Sequence, residues 1–251
     1  MGLVMKKSIK PYLIPGIFLV IVFIALIIVH QGEILKIYNE NARPESDDQK
    51  RTIDHQNIPM RSFTERSIHN QTVLFLGDSI ISQGDWELLF PGMQIKNFGI
   101  GGATTQHILS RTQDVIAEKP DRIFLMIGIN NIWAGQGNPL IEQSYIDILD
   151  NLTVQSPDTQ VYILSVLPVN HEKFNISSQN QRYIDNNQII ELNRDLEQLA
   201  KTYHTTEYID LYSHFVNKND TELLENLTTD GVHLNDQGYA VWKDAIAYYI
   251  L

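Results

Sequence analysis

The sequence predicts a three-layer, doubly wound α/β domain with a parallel sheet of about five strands, preceded by one membrane-spanning helix. Three observations lead there. Short apolar runs alternate with longer amphipathic stretches through residues 72–251, the pattern of strands joined by crossover helices. Glycine-containing turns, "GDS", "GIGG" and "GINN", follow the first three runs. At the other end, "YLIPGIFLVIVFIALIIV", Tyr12 to Val29, is 18 residues without a charge.

That apolar segment comes first. At ~1.5 Å per residue such a helix covers about 27 Å, close to the hydrocarbon thickness of a bilayer. Lys6, Lys7 and Lys10 precede it and no basic residue follows until Lys36. The positive-inside bias therefore puts residues 1–11 in the cytoplasm and everything after residue 30 outside. A cleaved secretory signal would have a shorter apolar region and a small-residue site after it. Here the segment ends in "IIVHQGEI", and the chain has no cysteine to carry a lipid. Residues 12–30 thus read as a retained single-pass anchor in the cell membrane. Residues 31–71 are polar, mixed in charge and without apolar periodicity, as expected of an extracellular stalk.

Within residues 72–251 the strand candidates are Val73–Leu76, Gln94–Asn97, Ile123–Ile127, Val161–Val166 and Glu207–Leu211. A helix is expected over "TTQHILSRTQDVIAEK", with Ile108, Val115 and Ile116 on one stripe, ending before Pro120. "PLIEQSYIDILDNL" opens with proline at a first-turn position. "YIDNNQIIELNRDLEQLAKTY" sets Ile184, Ile189, Leu192, Leu196 and Leu199 on another stripe. Asn235 or Asp236 caps the final helix, "NDQGYAVWKDAIAYYIL". Parallel strands with right-handed crossovers are covered on both faces, and ligands then sit beyond their carboxyl ends.

Composition removes several classes of function. Net charge is −11, and the 16 basic and 30 acidic residues beyond residue 30 leave −14 there. That balance argues against nucleic acid as a partner and against adhesion to anionic lipid through charge. With no cysteine there are no disulfides, no thiolate chemistry and no cysteine-built zinc site. An extracellular domain without disulfides points towards a bacterium.

On local grounds "FLGDSI" is a strand meeting a turn, since glycine, aspartate and serine are common turn formers. Ser79 is also placed where a doubly wound sheet holds its ligand. A serine nucleophile needs a base within hydrogen-bond reach, and histidine suits neutral pH. Of eight histidines, His233 stands in "TTDGVHLN" with Asp230 three residues before it. The pair fits a base with its orienting acid, and equally a solvated loop before a helix. "NFGIGGATT" offers backbone donors at a glycine turn, or a phosphate loop whose spacing is wrong for either common nucleotide motif. Asn130 and Asn131 in "GINN" fit an oxyanion donor or an ordinary Asx turn.

Taken in order, "GDSI", "NFGIGGATT", "GINN" and "DGVHLN" resemble the SGNH hydrolases, also called the GDSL-like lipase/acylhydrolase family. The middle block is similar to acetylhydrolase subunits that act on platelet-activating factor. The resemblance runs from about residue 73 to the C-terminus and implies a flavodoxin-like sheet. It also implies Ser79 as nucleophile, with Asp230 and His233 as acid and base. The oxyanion donors it implies are the Ser79 and Gly102 amides and the Asn130 side chain. It departs at Asn131, where the family often has aspartate; Asn131 is expected to neighbour the donor rather than join the set. The expected reaction is cleavage of a carboxylic ester through an acyl-serine, without metal or cofactor. Short acyl groups on envelope glycans or lipids are the expected substrates. Acetyl transfer to a cell-surface polysaccharide by the same residues is the alternative, and a non-catalytic envelope-binding module a further one.

Overall fold

The five apolar runs become five strands of one sheet. A computed structural model of the chain describes residues 71–174, 176 and 184–250. The strands are β1 (Thr72–Gly77), β2 (Gln94–Gly99), β3 (Arg122–Met126), β4 (Gln160–Leu164) and β5 (Thr206–Ile209). All neighbours pair in parallel, in the order β2-β1-β3-β4-β5. The chain steps outward from β1 to β2 and then returns past β1 to β3. The crevice left at this reversal lies beyond the carboxyl ends of β1 and β3.

Strict alternation along the strands divides the core in two. Leu74, Leu76, Ile123, Leu125, Val161 and Ile163 face one layer. Val73, Phe75, Phe124, Met126, Tyr162 and Leu164 face the other. On the first face pack α6 (Asn138–Gln155) and α7 (Asn186–Ala200), through Tyr145, Ile148, Leu192 and Leu196. On the second pack α1 (Ser79–Gln83), α2 (Trp86–Leu89) and the last helix, α8 (Asp236–Ile250). There Phe75 stacks on Trp86 at 3.9 Å and on Phe124 at 5.1 Å, and Phe124 on Tyr162 at 4.8 Å. This aromatic row runs across three strands beneath the helix that begins at Ser79. Burying one such ring contributes roughly 1.5–3 kcal/mol.

Two expected strands stop early. After Leu164 and Ile209, the Ser165 hydroxyl accepts the Leu211 and Tyr212 N–H groups at 2.8 and 2.7 Å, drawing both segments out of the ladder. The single helix expected over Thr104–Lys119 is two, α3 (Thr105–Ser110) and α4 (Thr112–Ala117). The Ser110 hydroxyl donates to the His107 carbonyl and Thr112 to that of Leu109, both at 2.8 Å. Those side chains compete for the carbonyls that a continuous helix needs. Ile184 is buried but precedes Asp185, whose carboxylate caps α7 at Asn187 N–H. A short helix, α5 (Ile129–Trp133), follows β3 where only a turn is expected.

Among the described residues no helix is long and apolar enough to cross a membrane. The expected anchor at residues 12–30, and the stalk up to residue 70, lie outside the described residues.

Candidate active site

β1 ends at Gly77 because nothing larger fits. A Cβ there would lie 2.1 Å from the Met126 carbonyl oxygen and 2.6 Å from Ile81 Cγ1. Asp78 then caps α1, its Oδ1 accepting the Ile80 N–H at 3.0 Å. So strand, turn and cap together present Ser79 as the first residue of a helix whose leading N–H groups lack intrahelical partners.

The facing loop runs from Thr228 to Leu234, two residues joined by a bridge. Asp230 Oδ1 accepts the N–H groups of Val232 at 3.0 Å and His233 at 2.8 Å, which curls the loop around its own carboxylate. The other oxygen, Oδ2, meets His233 Nδ1 at 2.7 Å. On the far side of the imidazole, His233 Nε2 is 2.9 Å from Ser79 Oγ. Burial alone would raise the Asp230 carboxyl, but the His233 side chain and the two backbone donors outweigh it and hold it below the ordinary carboxylate range. An ionised Asp230 places the imidazole proton on Nδ1 and leaves the Nε2 lone pair towards the serine hydroxyl. This arrangement can take a proton from Ser79 and return it to a leaving group.

Gly102 and Asn130 approach from the same edge. The register aligns Gly77 with Gly99 on one side and with Met126 on the other. Ser79, Gly102 and Asn130 therefore leave three adjacent strands within two to four residues of one level. Gly102 adopts φ +73°, a left-handed conformation that favours glycine, in the turn closed by Ala103 N–H to Ile100 O at 3.1 Å. Asn130 Nδ2 donates to the Ala103 carbonyl at 2.9 Å, tying its carboxamide to the glycine turn. All five residues singled out from the sequence thus belong to one edge of the sheet and the loop facing it.

The GDSL-like lipase/acylhydrolase family model matches residues 75–241. The chain belongs to this family. Subunit alpha1 of platelet-activating factor acetylhydrolase IB from Pongo abelii is 27% identical over 175 residues, covering 67% of this chain and 70% of the relative. An acetylxylan esterase from Geobacillus stearothermophilus is 38% identical over 56 residues, 22% of this chain and 26% of the relative. Among solved structures, a Streptococcus pneumonia protein provisionally named a platelet activating factor superposes with a TM-score of 0.63. It is 28% identical, over 71% of this chain and 83% of that one. A lipase/acylhydrolase from Enterococcus faecalis, 20% identical over 72% and 95% of the two chains, shares the fold at a TM-score of 0.58.

Three further residues shape this acylhydrolase site: Asn131, already noted in "GINN", and Thr228 and Tyr239, whose part was not evident from the motifs. Asn131, where the family often has aspartate, is fully buried. Its Oδ1 accepts the Thr105 N–H at 3.0 Å, and its Nδ2 reaches Thr105 Oγ1, Gln106 Oε1 and Gln136 Oε1 at 3.0, 3.0 and 2.6 Å. It bolts the first turn of α3, which follows the glycine turn, to α5. Thr228, also buried, donates from Oγ1 to the His233 carbonyl at 2.6 Å and accepts the Gly231 N–H at 2.9 Å. Tyr239 of α8 donates its hydroxyl to the Ile80 carbonyl at 2.6 Å, joining the last helix to the serine helix. For Asn131 and Tyr239, partners 26 and 159 residues away lie too far along the chain to be read. Thr228 has partners within five residues but looks like any polar loop residue.

Asp78 is the remaining ionisable group. It is 1% exposed, and its Oδ2 has no hydrogen-bond partner among the described residues. Burial pushes its pKa up to about 7, against the Ile80 N–H and the His233 imidazole, which lower it.

Proposed function

We propose that the chain is a membrane-anchored, extracellular serine esterase that removes short acyl groups, acetyl foremost, from envelope glycans or lipids. Family membership makes it an acylhydrolase; the observation carrying the catalytic assignment is His233, held between Asp230 and Ser79 at 2.7 and 2.9 Å. His233 removes the Ser79 proton as Oγ attacks the ester carbonyl. The Ser79 and Gly102 amides and the Asn130 carboxamide hold the negative charge that develops on the carbonyl oxygen. His233 then protonates the departing alcohol, and water repeats the sequence on the acyl-serine to release the acid. The Asp230 and His233 side chains are 54% and 27% exposed, which favours water over a sugar hydroxyl as acceptor. Acetyl esters are favoured because two relatives, an acetylhydrolase and an acetylxylan esterase, are named for them. Anchoring and an outside location rest on the uncharged stretch Tyr12–Val29 and the three lysines before it.

The full chain, solubilised from membranes, should hydrolyse p-nitrophenyl acetate and lose activity as the acyl chain lengthens. Ser79→Ala should abolish turnover and labelling by a fluorophosphonate. Asn130→Ala should lower kcat about a hundredfold, since one oxyanion donor contributes roughly 3 kcal/mol. Wild-type turnover in Ser79→Ala would overturn the assignment. Activity that stays with membranes in the full chain, and leaves them when residues 1–30 are removed, tests the anchor.

A further inference from the structure

A groove of about 890 Å3 opens beside the site, within the ~300–1,000 Å3 usual for small-molecule pockets. One wall is the end of α1 with α2, contributing Gln83, Asp85 and Leu88. The other is the chain before and after the His233 loop, contributing Asn226, Asp236 and Gln237. Two features connect it to the triad. Gln83 lies one helical turn, about 6 Å, beyond Ser79 on the same helix. Thr229 and Leu234, which also line it, bracket Asp230 and His233.

This side of the site belongs to one half of the substrate. His233 Nε2 must deliver its proton to the departing oxygen, so the alcohol half of the ester leaves on the His233 side. The carbonyl oxygen turns instead towards Gly102 and Asn130. What the groove offers, the alcohol half will meet.

Its chemistry is selective. Exposed carboxamides at Gln83, Asn226 and Gln237 supply both donors and acceptors, and the carboxylates of Asp85 and Asp236 accept. Asp85 spends Oδ1 on the Leu88 N–H, while Leu88 itself is 75% exposed. No lysine, arginine or histidine lines the groove. Leu88, Leu89, Leu234 and Tyr239 add apolar wall, so a hydrocarbon would find contacts there, but it would also strip water from these amides and acids without replacing it. An anionic headgroup would meet Asp85, Asp236 and Asp230 with no cation to offset them. A neutral polyol satisfies all of it, with hydroxyls on the amides and carboxylates and a C–H face on Leu88.

We propose that this groove binds the alcohol half of the ester as an uncharged, polyhydroxylated chain, so that the substrate is an acylated neutral oligosaccharide rather than a phospholipid or an anionic polymer. The inference rests on the esterase reading for its direction but not for its test. With the full chain, kcat/KM is measured on acetylated xylo-oligosaccharide, on acetylated glycerol phosphate and on p-nitrophenyl acetate. Binding of the unacetylated oligosaccharide to Ser79→Ala is measured by calorimetry. The oligosaccharide ester should be preferred to the glycerol phosphate ester. Asn226→Ala and Gln237→Ala should each lower kcat/KM for the oligosaccharide ester about fivefold to tenfold relative to p-nitrophenyl acetate, through KM. Both should weaken oligosaccharide binding to Ser79→Ala by a similar factor. Preference for the anionic ester, or oligosaccharide binding that is absent or indifferent to both substitutions, overturns the groove assignment. Absence of p-nitrophenyl acetate hydrolysis sinks the esterase reading separately, because the calorimetric arm needs no turnover.

Discussion

Asn131 carries the burden of holding in one frame the two residues proposed as oxyanion donors, Gly102 and Asn130. Its carboxamide meets Thr105, Gln106 and Gln136, while next to it Asn130 holds the Ala103 carbonyl. Gly102 lies immediately before the segment so pinned. Asn131→Ala frees the glycine turn and should lower kcat about tenfold to a hundredfold with little change in KM, because the donors are needed in the transition state. Asn131→Asp keeps the acceptor for the Thr105 N–H and, once the two glutamines turn their amides, keeps the rest; it should recover most of the loss. Equal effects on kcat and KM would argue against a positioning role. Asp78 makes a different prediction. Burial holds its carboxyl up at about 7 in the folded chain against an ordinary 3.8 in the unfolded one, so the folded chain binds more protons between those values. Stability from this group is therefore greatest below about pH 4, falls as pH rises to about 7, and is level above. Asp78→Asn removes that dependence. Urea unfolding at stepped pH should show the variant gaining on wild type between pH 4 and 7, by an amount on the order of a few kcal/mol. A gap that does not vary with pH would count against a raised carboxyl.

Loops, rather than helices or strands, set the site's precision, and the His233 loop is the clearest case. Thr228 Oγ1 accepts the Gly231 N–H and donates to the His233 carbonyl, which also receives the Thr229 N–H at 3.0 Å. In Thr228→Val the His233 carbonyl keeps the Thr229 N–H and, at 3.4 Å, the Thr229 hydroxyl, but the Gly231 N–H is orphaned at a cost of about 1–3 kcal/mol. The loop should loosen, kcat should fall about tenfold, and Thr228→Ser should restore both stability and turnover. Had Thr228→Ser been no better than Thr228→Val, shape rather than the hydroxyl would be responsible. This element also shows where sequence reading stops. Strands β1, β3 and β4 were legible as buried apolar runs between turn formers, while β2 and β5 are partly exposed and were placed by the alternation of short runs with helices. Ser79, Asp230 and His233 were singled out by their place after a strand or before the last helix, and Gly102 and Asn130 by their glycine-containing turns and the family resemblance. Thr228 reads as one more polar loop residue, and Asn131 as the second half of an Asx turn. The meaning of Asn131 lies in partners such as Thr105, 26 residues away, and that of Thr228 in a loop curl that brings Gly231 and His233 back onto its hydroxyl, both of which only the folded chain supplies. The break between α3 and α4 escaped for a related reason, since the apolar stripe continues through Ser110 and Thr112 while their hydroxyls redirect the backbone.

At the scale of the whole molecule, two packed layers hold the sheet rigid while charge governs what reaches its edge. The aromatic row from Trp86 through Phe75 and Phe124 to Tyr162 is tied to the helix that begins at Ser79 by the Trp86 indole N–H, which donates to the Ile81 carbonyl at 2.9 Å. Residues 71–251 hold 10 basic and 23 acidic residues, a net −13, and among them Asp85 and Asp236 line the groove beside the triad without a counter-charge. Such a field repels anions over roughly a Debye length, about 10 Å at 0.1 M salt and 30 Å at 0.01 M. An anionic acetyl ester should therefore be hydrolysed poorly at low ionic strength, and its kcat/KM should rise severalfold as salt increases from about 0.01 to 0.3 M. A neutral acetylated oligosaccharide should show a nearly flat profile over the same range. Because both esters release acetate through the same acyl-serine, deacylation is common to them and any difference in slope belongs to the approach and binding of the alcohol half. Replacing Asp85 and Asp236 by asparagine should flatten the anionic profile in part, leaving the remainder to the distributed negative charge; parallel slopes for the two esters would mean that the field does not select the substrate.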